Sequence, residues 1–179
     1  MAVQGNSSRN RKRPKKGLLQ FTKWKQIATE KLIEDDELMK LLKYNSKDWS
    51  RRPNVPMDDR YDLVDKNIFQ YSYIHTIAED SKSYVAMGLA YFAPQEGFRQ
   101  FSDDYVMGYF YFHVLCARSI RSTNTGDRAD LIAGRIYDIF QESKYFGIGE
   151  LRMQTQNEIR QDNNTHSGYT IGFHIVEFK

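Results

Sequence analysis

Residues 105–118 constrain the fold more than any other segment, because this strand-like run is apolar or aromatic on both faces. Alternation along a strand divides its side chains into two sets. One set comprises Val106, Gly108, Phe110, Phe112, Val114 and Cys116, and the other comprises Met107, Tyr109, Tyr111, His113 and Leu115. A strand of this kind is expected to be covered on both sides. The sequence therefore predicts that it lies inside a folded domain.

Strand-like alternation recurs in three other segments, which are 83–92, 149–159 and 169–178. The last two are predicted to form a C-terminal hairpin around the polar loop 160–168. Residues 68–78 fit either a strand or a helix, because their apolar side chains suit both periods. The sequence thus predicts four strands and leaves one segment open.

Helical spacing of apolar side chains covers two segments, 20–44 and 128–140. The acidic run 34–37 interrupts the first and suits the start of a second helix, where carboxylates meet the positive end of the helix dipole. Asp127 is placed to cap the other helix. The predicted fold class is α+β: a small antiparallel β-sheet of about four strands, packed with an N-terminal helical segment and one helix between strand pairs.

Residues 45–67 are predicted to be irregular, since Pro53 and Pro56 punctuate them and their Asp and Asn residues favour turns. A loop of this length is uncommon inside a compact domain unless it has a function. Trp49 is therefore a candidate anchor on a partner. The alternative is that Trp49 packs back on its own domain.

Charge is distributed unevenly along the 179 residues. Residues 1–16 contain no acid and six basic side chains, which are Arg9, Arg11, Lys12, Arg13, Lys15 and Lys16. Removing these six from the 26 basic residues leaves 20 against 23 acidic ones. We therefore expect a disordered basic arm over 1–17 and a single α+β domain over 18–179. The arm's six basic residues are candidate contacts for phosphates or for a partner.

No motif for catalysis or cofactor binding is present. The histidines form no His-Glu-x-x-His pattern, and the single cysteine, Cys116, excludes a cysteine-rich zinc site. Three pairs of neighbouring aspartates, Asp35-Asp36, Asp58-Asp59 and Asp103-Asp104, could bind a divalent cation, as nucleases require, but Asp is common in turns and at helix starts. We expect no enzyme activity, cofactor, metal or membrane span.

Three stretches resemble the tail-terminator and neck proteins of tailed bacteriophages. They are the helix that runs into Leu38-Met39-Lys40-Leu41-Leu42-Lys43-Tyr44, the strand beginning Tyr105-Val106-Met107, and the helix 128–140 followed by Phe146-Gly147-Ile148-Gly149 and a closing hairpin. Together they extend over 20–179.

The resemblance implies a virion structural protein, assembled in the bacterial host cytoplasm. Such a protein forms a homo-oligomeric ring, commonly hexameric, that caps the tail tube, contacts the head connector and lets DNA pass through its lumen. Two alternatives stay open: a head-side connector ring, and a nucleic-acid-binding accessory protein that uses the basic arm.

Overall fold

The computed structural model describes residues 19–72, 81–94, 105–147, 149–160 and 165–178. Its helices are α1 (Leu19–Glu34), α2 (Asp36–Lys43), α3 (Met57–Tyr61) and α4 (Arg128–Phe140), with short 3₁₀ turns at Trp49–Arg51 and Arg118–Ile120. The predicted break in the N-terminal helix and the bounds of the later helix are confirmed. The predicted arm over 1–17 lies outside the described residues.

Five strands form the main sheet: β1 (Ile68–Phe69), β2 (Ser83–Pro94), β3 (Tyr105–Ala117), β6 (Arg152–Arg160) and β7 (His166–Phe178). Their order is β1-β2-β3-β7-β6, and only β1 runs parallel to its neighbour. A separate ribbon of β4 (Ser122–Thr123) and β5 (Gly126–Asp127) leads into α4. The α+β class and the four predicted strands are confirmed, and the sheet gains the short parallel β1.

Side-chain caps fix where two of the helices begin. The Asp35 carboxylate accepts a hydrogen bond from the Leu38 amide at 2.7 Å, which ends α1 and starts α2 within the predicted acidic run. The Asp127 carboxylate accepts from the Ala129 amide at 2.8 Å and so starts α4. Each carboxylate satisfies an amide that has no partner within its helix.

The main core lies between the helices and one face of the sheet. β3 contributes Phe110, Phe112, Val114 and Cys116, all 0% exposed. The Phe112 ring packs on Phe140 of α4 with centroids 4.6 Å apart. Ser83 Oγ lies 3.4 Å from the Cys116 sulfur, and burial raises the pKa of this thiol. The set of β3 side chains that begins with Val106 is thus the covered face.

The prediction that residues 45–67 are irregular is wrong in part, because they contain α3 and a 3₁₀ turn. Buried Arg60 of α3 explains the order of this segment. Its guanidinium donates to the carbonyls of Val55 and Ile33, and pairs with the Asp36 carboxylate. This contact between distant parts of the chain is invisible to local sequence patterns.

A second buried arginine, Arg128, anchors the start of α4. Its guanidinium donates to the carbonyls of Ile120, Leu41, Tyr44 and Ser46 at 2.7–3.0 Å. Burial lowers the pKa of this guanidinium. Because these carbonyls include the C-terminal end of α2, the arginine joins α2, α4 and the loop between α2 and the 3₁₀ turn.

The other face of the sheet departs from the prediction of full coverage. Among the described residues, a small cluster of Phe69, Tyr84, Ala86 and Leu115, with Ile159 packed against it, covers one part of this face, and the Ser72 side chain lies against Gly88, which pairs with Tyr111. Further along β3, the side chains of Tyr109, Tyr111 and His113 are only half-buried. Tyrosine and histidine tolerate this environment because their polar atoms can reach water while their rings lie on the sheet. We call this side of the sheet the open face.

Candidate functional site on the open face of the sheet

Five rings from three strands lie together on the open face. The register pairs Tyr109 with Ala90 of β2 and with His174 of β7, so alternate residues of the three strands share this side. We call the set the aromatic row; its members are Tyr91, Tyr109, Tyr111, His113 and His174. The sheet therefore presents a continuous line of rings rather than isolated aromatic side chains.

The three rings of β3 are nearly parallel. The Tyr109 and Tyr111 centroids are 5.7 Å apart with an angle of 26° between ring planes, and those of Tyr111 and His113 are 6.3 Å apart with 10°. His174 meets Tyr109 edge-on at 5.7 Å. Parallel and edge-on arrangements are the ones that ring quadrupoles favour. The row is thus an ordered aromatic surface.

Tyr91 closes one end of the row in an unusual conformation. It lies where a β-bulge between Ala90 and Ala93 shifts the register of β2, and its φ is +58°. Its side chain is 78% exposed, and its ring meets Tyr109 at 87° with centroids 6.5 Å apart. A non-glycine residue in this left-handed region costs about 1–2 kcal/mol. The fold therefore holds a solvated tyrosine in a strained backbone position.

Glycine makes room for the central ring. A Cβ atom at Gly172 would lie 2.8 Å from Cε1 of Tyr111 and would also collide with the Thr155 hydroxyl. The Tyr111 ring consequently leans across β7 towards β6. The Thr155 hydroxyl is buried without a hydrogen-bond partner in the described part of the chain. An unpaired buried hydroxyl of this kind is costly.

Polar groups border the row along β6 and β7. The Tyr109 hydroxyl donates to Oε1 of Gln154 at 3.2 Å, and Nδ1 of His113 lies 2.8 Å from the Thr170 hydroxyl. Arg152 lies opposite His174 in the register and pairs with Glu150 at 3.6 Å. Hydroxyl, amide and guanidinium groups therefore surround the rings.

The row carries little charge. Burial lowers the pKa of His113 and of His174, which keeps both imidazoles neutral at neutral pH. Burial, with the neighbouring Tyr91 and Tyr109, raises the pKa of Tyr111, which keeps its phenol protonated. Among the described strand residues whose side chains lie on this face, none is a carboxylate.

A second surface lies at the edge of the sheet. Within the described residues, β6 pairs only with β7, so no strand pairs with its outer edge; near the start of β6, the Met153 amide donates to Oε1 of Gln141 at 2.9 Å. Beside it, a groove of about 460 Å³ separates α4 from β6 and β7, lined by residues including Gly134, Tyr137, Gln156 and Tyr169. A hydrogen bond with the Asp130 carboxylate raises the pKa of Tyr169 to about 12. The groove and the free edge form one continuous surface.

The structure describes one of the site residues predicted from the sequence, Trp49, and not the six basic residues of the arm. Trp49 is 6% exposed within the main core, and its indole N–H donates to Thr125 Oγ1 at 3.1 Å. It therefore packs on its own domain, as the alternative interpretation had it, and does not present an anchor to a partner. The six basic residues of the arm, Arg9, Arg11, Lys12, Arg13, Lys15 and Lys16, lie outside the described residues.

The paired aspartates serve local structure where they are described. Asp35 caps α2 and pairs with Arg135, Asp36 pairs with Arg60, and Asp59 pairs with Lys43 at 3.4 Å. The pair at 103–104 lies outside the described residues. In the described part of the chain, no three His, Cys, Asp or Glu side chains are grouped so as to hold a metal ion.

Sequence reasoning missed the aromatic row as a site. Alternation did place Tyr109, Tyr111 and His113 on one face, but that face was expected to be covered. No local pattern could add Tyr91 and His174, because the β-bulge and the pairing of β3 with β7 bring them to the row. A usable signal was the type of residue, since tyrosine and histidine are less often fully buried than phenylalanine or valine.

The fold and its surfaces define an α+β protein whose mostly antiparallel sheet is covered by helices on one face and displays aromatic rings on the other. The chain belongs to the YomW family, whose match extends over residues 35–175, and this family is phage-derived. No curated protein and no solved structure matches the chain. Among the described helices, none has the length and apolar character that a bilayer span requires.

Proposed function

We propose that the chain is a virion structural protein of a tailed phage, which forms an oligomeric ring that caps the tail tube and joins it to the head connector. The observation that carries the proposal is the free edge of β6. A strand edge offers unpaired N–H and C=O groups, and natural proteins normally shorten, cover or charge such edges. Here the edge strand is nine residues long, with six residues exposed and three half-buried, and its carbonyl and amide groups suit pairing with another subunit.

The opposite end of the sheet supports assembly in one direction. β1 pairs only with Val85 and Ala86, so in the described residues the rest of β2 has no strand on that side. The two edges of the sheet therefore differ: one is the outer edge of β6, and the other is β2 with the two-residue β1. A contact between two different surfaces of identical subunits repeats head to tail, and it closes into a ring when the rotation per subunit allows.

The groove beside β6 gives such a contact side-chain specificity. Gly134 faces it from α4, and a Cβ atom at this position would meet nothing within 4 Å. A neighbouring strand added to β6 can place alternate side chains between α4 and the sheet. Membership of a phage-derived family supports a role in a virion.

The test is the mass of the full chain in solution, measured by light scattering at low and high concentration. We expect a discrete ring, or growth towards one as concentration rises. Gln156→Lys places a charge on the free edge and should reduce this association. Gln26→Lys is the matched control, because it makes the same change at an exposed position of α1. A monomer at every concentration, also after mixing with isolated tail tubes, would refute the proposal.

The binding partner separates two members of the same class. A terminator ring should bind purified tail tubes, whereas a head-side connector ring should bind DNA-filled heads. A nucleic-acid-binding accessory protein is the second candidate function, and the aromatic row favours it.

A further inference from the structure

We propose that the aromatic row is a binding site for single-stranded nucleic acid, whose bases stack on the tyrosine and histidine rings. This site would exist beside the ring-forming edge and does not depend on it. The rings lie on β2, β3 and β7, whereas β6, which has the free edge, contributes only polar groups at the border of the row.

The aromatic row offers ring surface to a ligand. Tyr91 is 78% exposed, and the half-buried rings of Tyr109, Tyr111 and His113 follow it at centroid distances of 6.5, 5.7 and 6.3 Å. Proteins that bind single strands use such lines of aromatic side chains, because every base has a face on which a ring can stack. Bases in a duplex are already stacked on one another, so the row selects single strands.

The backbone of Tyr91 is strained. Its left-handed conformation costs free energy, although the side chain is largely exposed and gains little from burial. Positions of this kind concentrate at binding sites, where strain orients a side chain in advance. In this conformation the Tyr91 ring stands perpendicular to that of Tyr109, at one end of the row.

The electrostatics of this face suit a phosphate chain. Phosphates are repelled by carboxylates, and the described strand residues on this face carry none. The neutral imidazoles of His113 and His174 can stack without adding a charge that would have to be desolvated. Among the described strand residues of this face, Arg152 carries a positive charge; its side chain is 70% exposed, and its exposed pairing with Glu150 at 3.6 Å is weak enough to yield to a phosphate.

An exposed amide at the border of the row can hydrogen-bond a base. The side-chain oxygen of Gln154 accepts from the Tyr109 hydroxyl, which leaves its amide N–H groups for a base. Base edges offer acceptors, so this amide can donate to a stacked base.

The experiment measures binding of the full chain to a fluorescently labelled thymidine oligonucleotide of about ten residues by anisotropy. Tyr91→Ala and Tyr109→Ala should each weaken binding about tenfold, because one stacked base is lost. Tyr61→Ala is the control: this tyrosine is 59% exposed but lies on α3, and its loss should leave affinity unchanged. Thermal unfolding of each variant verifies that the fold is intact.

The basic arm must be separated from the row. Replacing its six basic residues with glutamine should reduce the dependence of affinity on salt, while the effect of Tyr91→Ala persists in that background. The proposal is overturned if both tyrosine variants bind like the parent, or if duplex of the same sequence competes equally well. It is also overturned if Tyr91→Ala changes the mass in solution and leaves oligonucleotide binding intact, since the row would then be a protein interface.

Discussion

The two faces of β3 are made by alternate residues of one segment, yet they have opposite environments. Phe110, Phe112 and Val114 are 0% exposed beneath the helices, whereas Tyr109, Tyr111 and His113 are half-buried on the other side. Both sets are aromatic or apolar, so hydropathy alone does not distinguish them. The difference is in the polar atoms: the covered rings carry none, and each ring of the open face carries a hydroxyl or a ring nitrogen.

The comparison shows how one strand can stabilise the fold and display a surface together. Covered rings contribute through the apolar area that they remove from water, at about 25 cal/mol per Å². Open rings contribute less because part of their area stays wet. The exposed area of these rings can still be buried against a ligand. One face of β3 therefore stabilises the fold, and the other leaves apolar area that a ligand can cover.

The largest expected effect comes from truncating matched rings on the two faces. Phe112→Ala removes contacts with Phe110, Phe140 and Phe173 and should lower the free energy of unfolding by about 3–5 kcal/mol. Tyr109→Ala should cost about 1 kcal/mol, since its ring is half-exposed. Urea unfolding measures both values. Equal losses would mean that the open face belongs to the core.

The covered side also depends on a buried charge, and its removal is the next largest effect. Arg128→Ala leaves the carbonyls of Leu41, Tyr44, Ser46 and Ile120 without their donor and should cost about 3 kcal/mol. Arg128→Lys should recover only part of this loss, because an ammonium group cannot span the same carbonyls. Thermal unfolding compares the three proteins. Full recovery by lysine would contradict the role of the planar guanidinium.

A methyl group tests the packing of the open face. Gly172→Ala places a Cβ atom 2.8 Å from the Tyr111 ring and should lower the free energy of unfolding by about 1–2 kcal/mol. It should also alter the near-ultraviolet circular dichroism of the tyrosines. Gly134→Ala is the counterpart on α4, where the new methyl group meets nothing within 4 Å. This change should instead stabilise the protein by about 0.5–1 kcal/mol. Destabilisation by both substitutions would contradict the open space beside Gly134.

The smallest expected effect is a dependence of stability on pH through His113. Burial lowers its pKa in the folded chain below the ordinary 6.5, so the unfolded chain binds more protons between those two values. The stability is fully present above pH 6.5 and declines as pH falls through that window. His113→Gln should reduce the slope in urea titrations between about pH 7 and about pH 5. An unchanged slope would mean that His174 or the carboxylates cause the pH dependence of stability.

Local patterns predicted the elements that carry their own signals. The helix over Arg128–Phe140 has a capping aspartate and a regular apolar stripe, and its predicted bounds are those of the structure. β7 begins at His166, three residues before the predicted start, because pairing with β3 extends it through polar residues. β1 has two residues at the start of the segment 68–78, whose pattern fitted either a strand or a helix; pairing of Ile68 and Phe69 with β2 makes these two residues a strand.

The candidate site could be predicted only in part, because its assembly depends on contacts between distant residues. The alternation of Tyr109, Tyr111 and His113 was visible in the sequence. The bulge that turns Tyr91 towards them and the register that adds His174 follow from strand pairing. Trp49 was ambiguous for the same reason, since its partner Thr125 lies 76 residues away.

Cys116 gives the molecule a built-in reporter of its own opening. It is the single cysteine of the chain, it lies on the covered face of the central strand, and its thiol is 0% exposed with a raised pKa. A thiol reagent can therefore reach it only when the helices separate from the sheet, and the labelling rate counts such events in the unaltered protein. If association of subunits suppresses this opening, labelling should slow as the subunits associate. The labelling rate of one sulfur atom then reports both local opening and assembly.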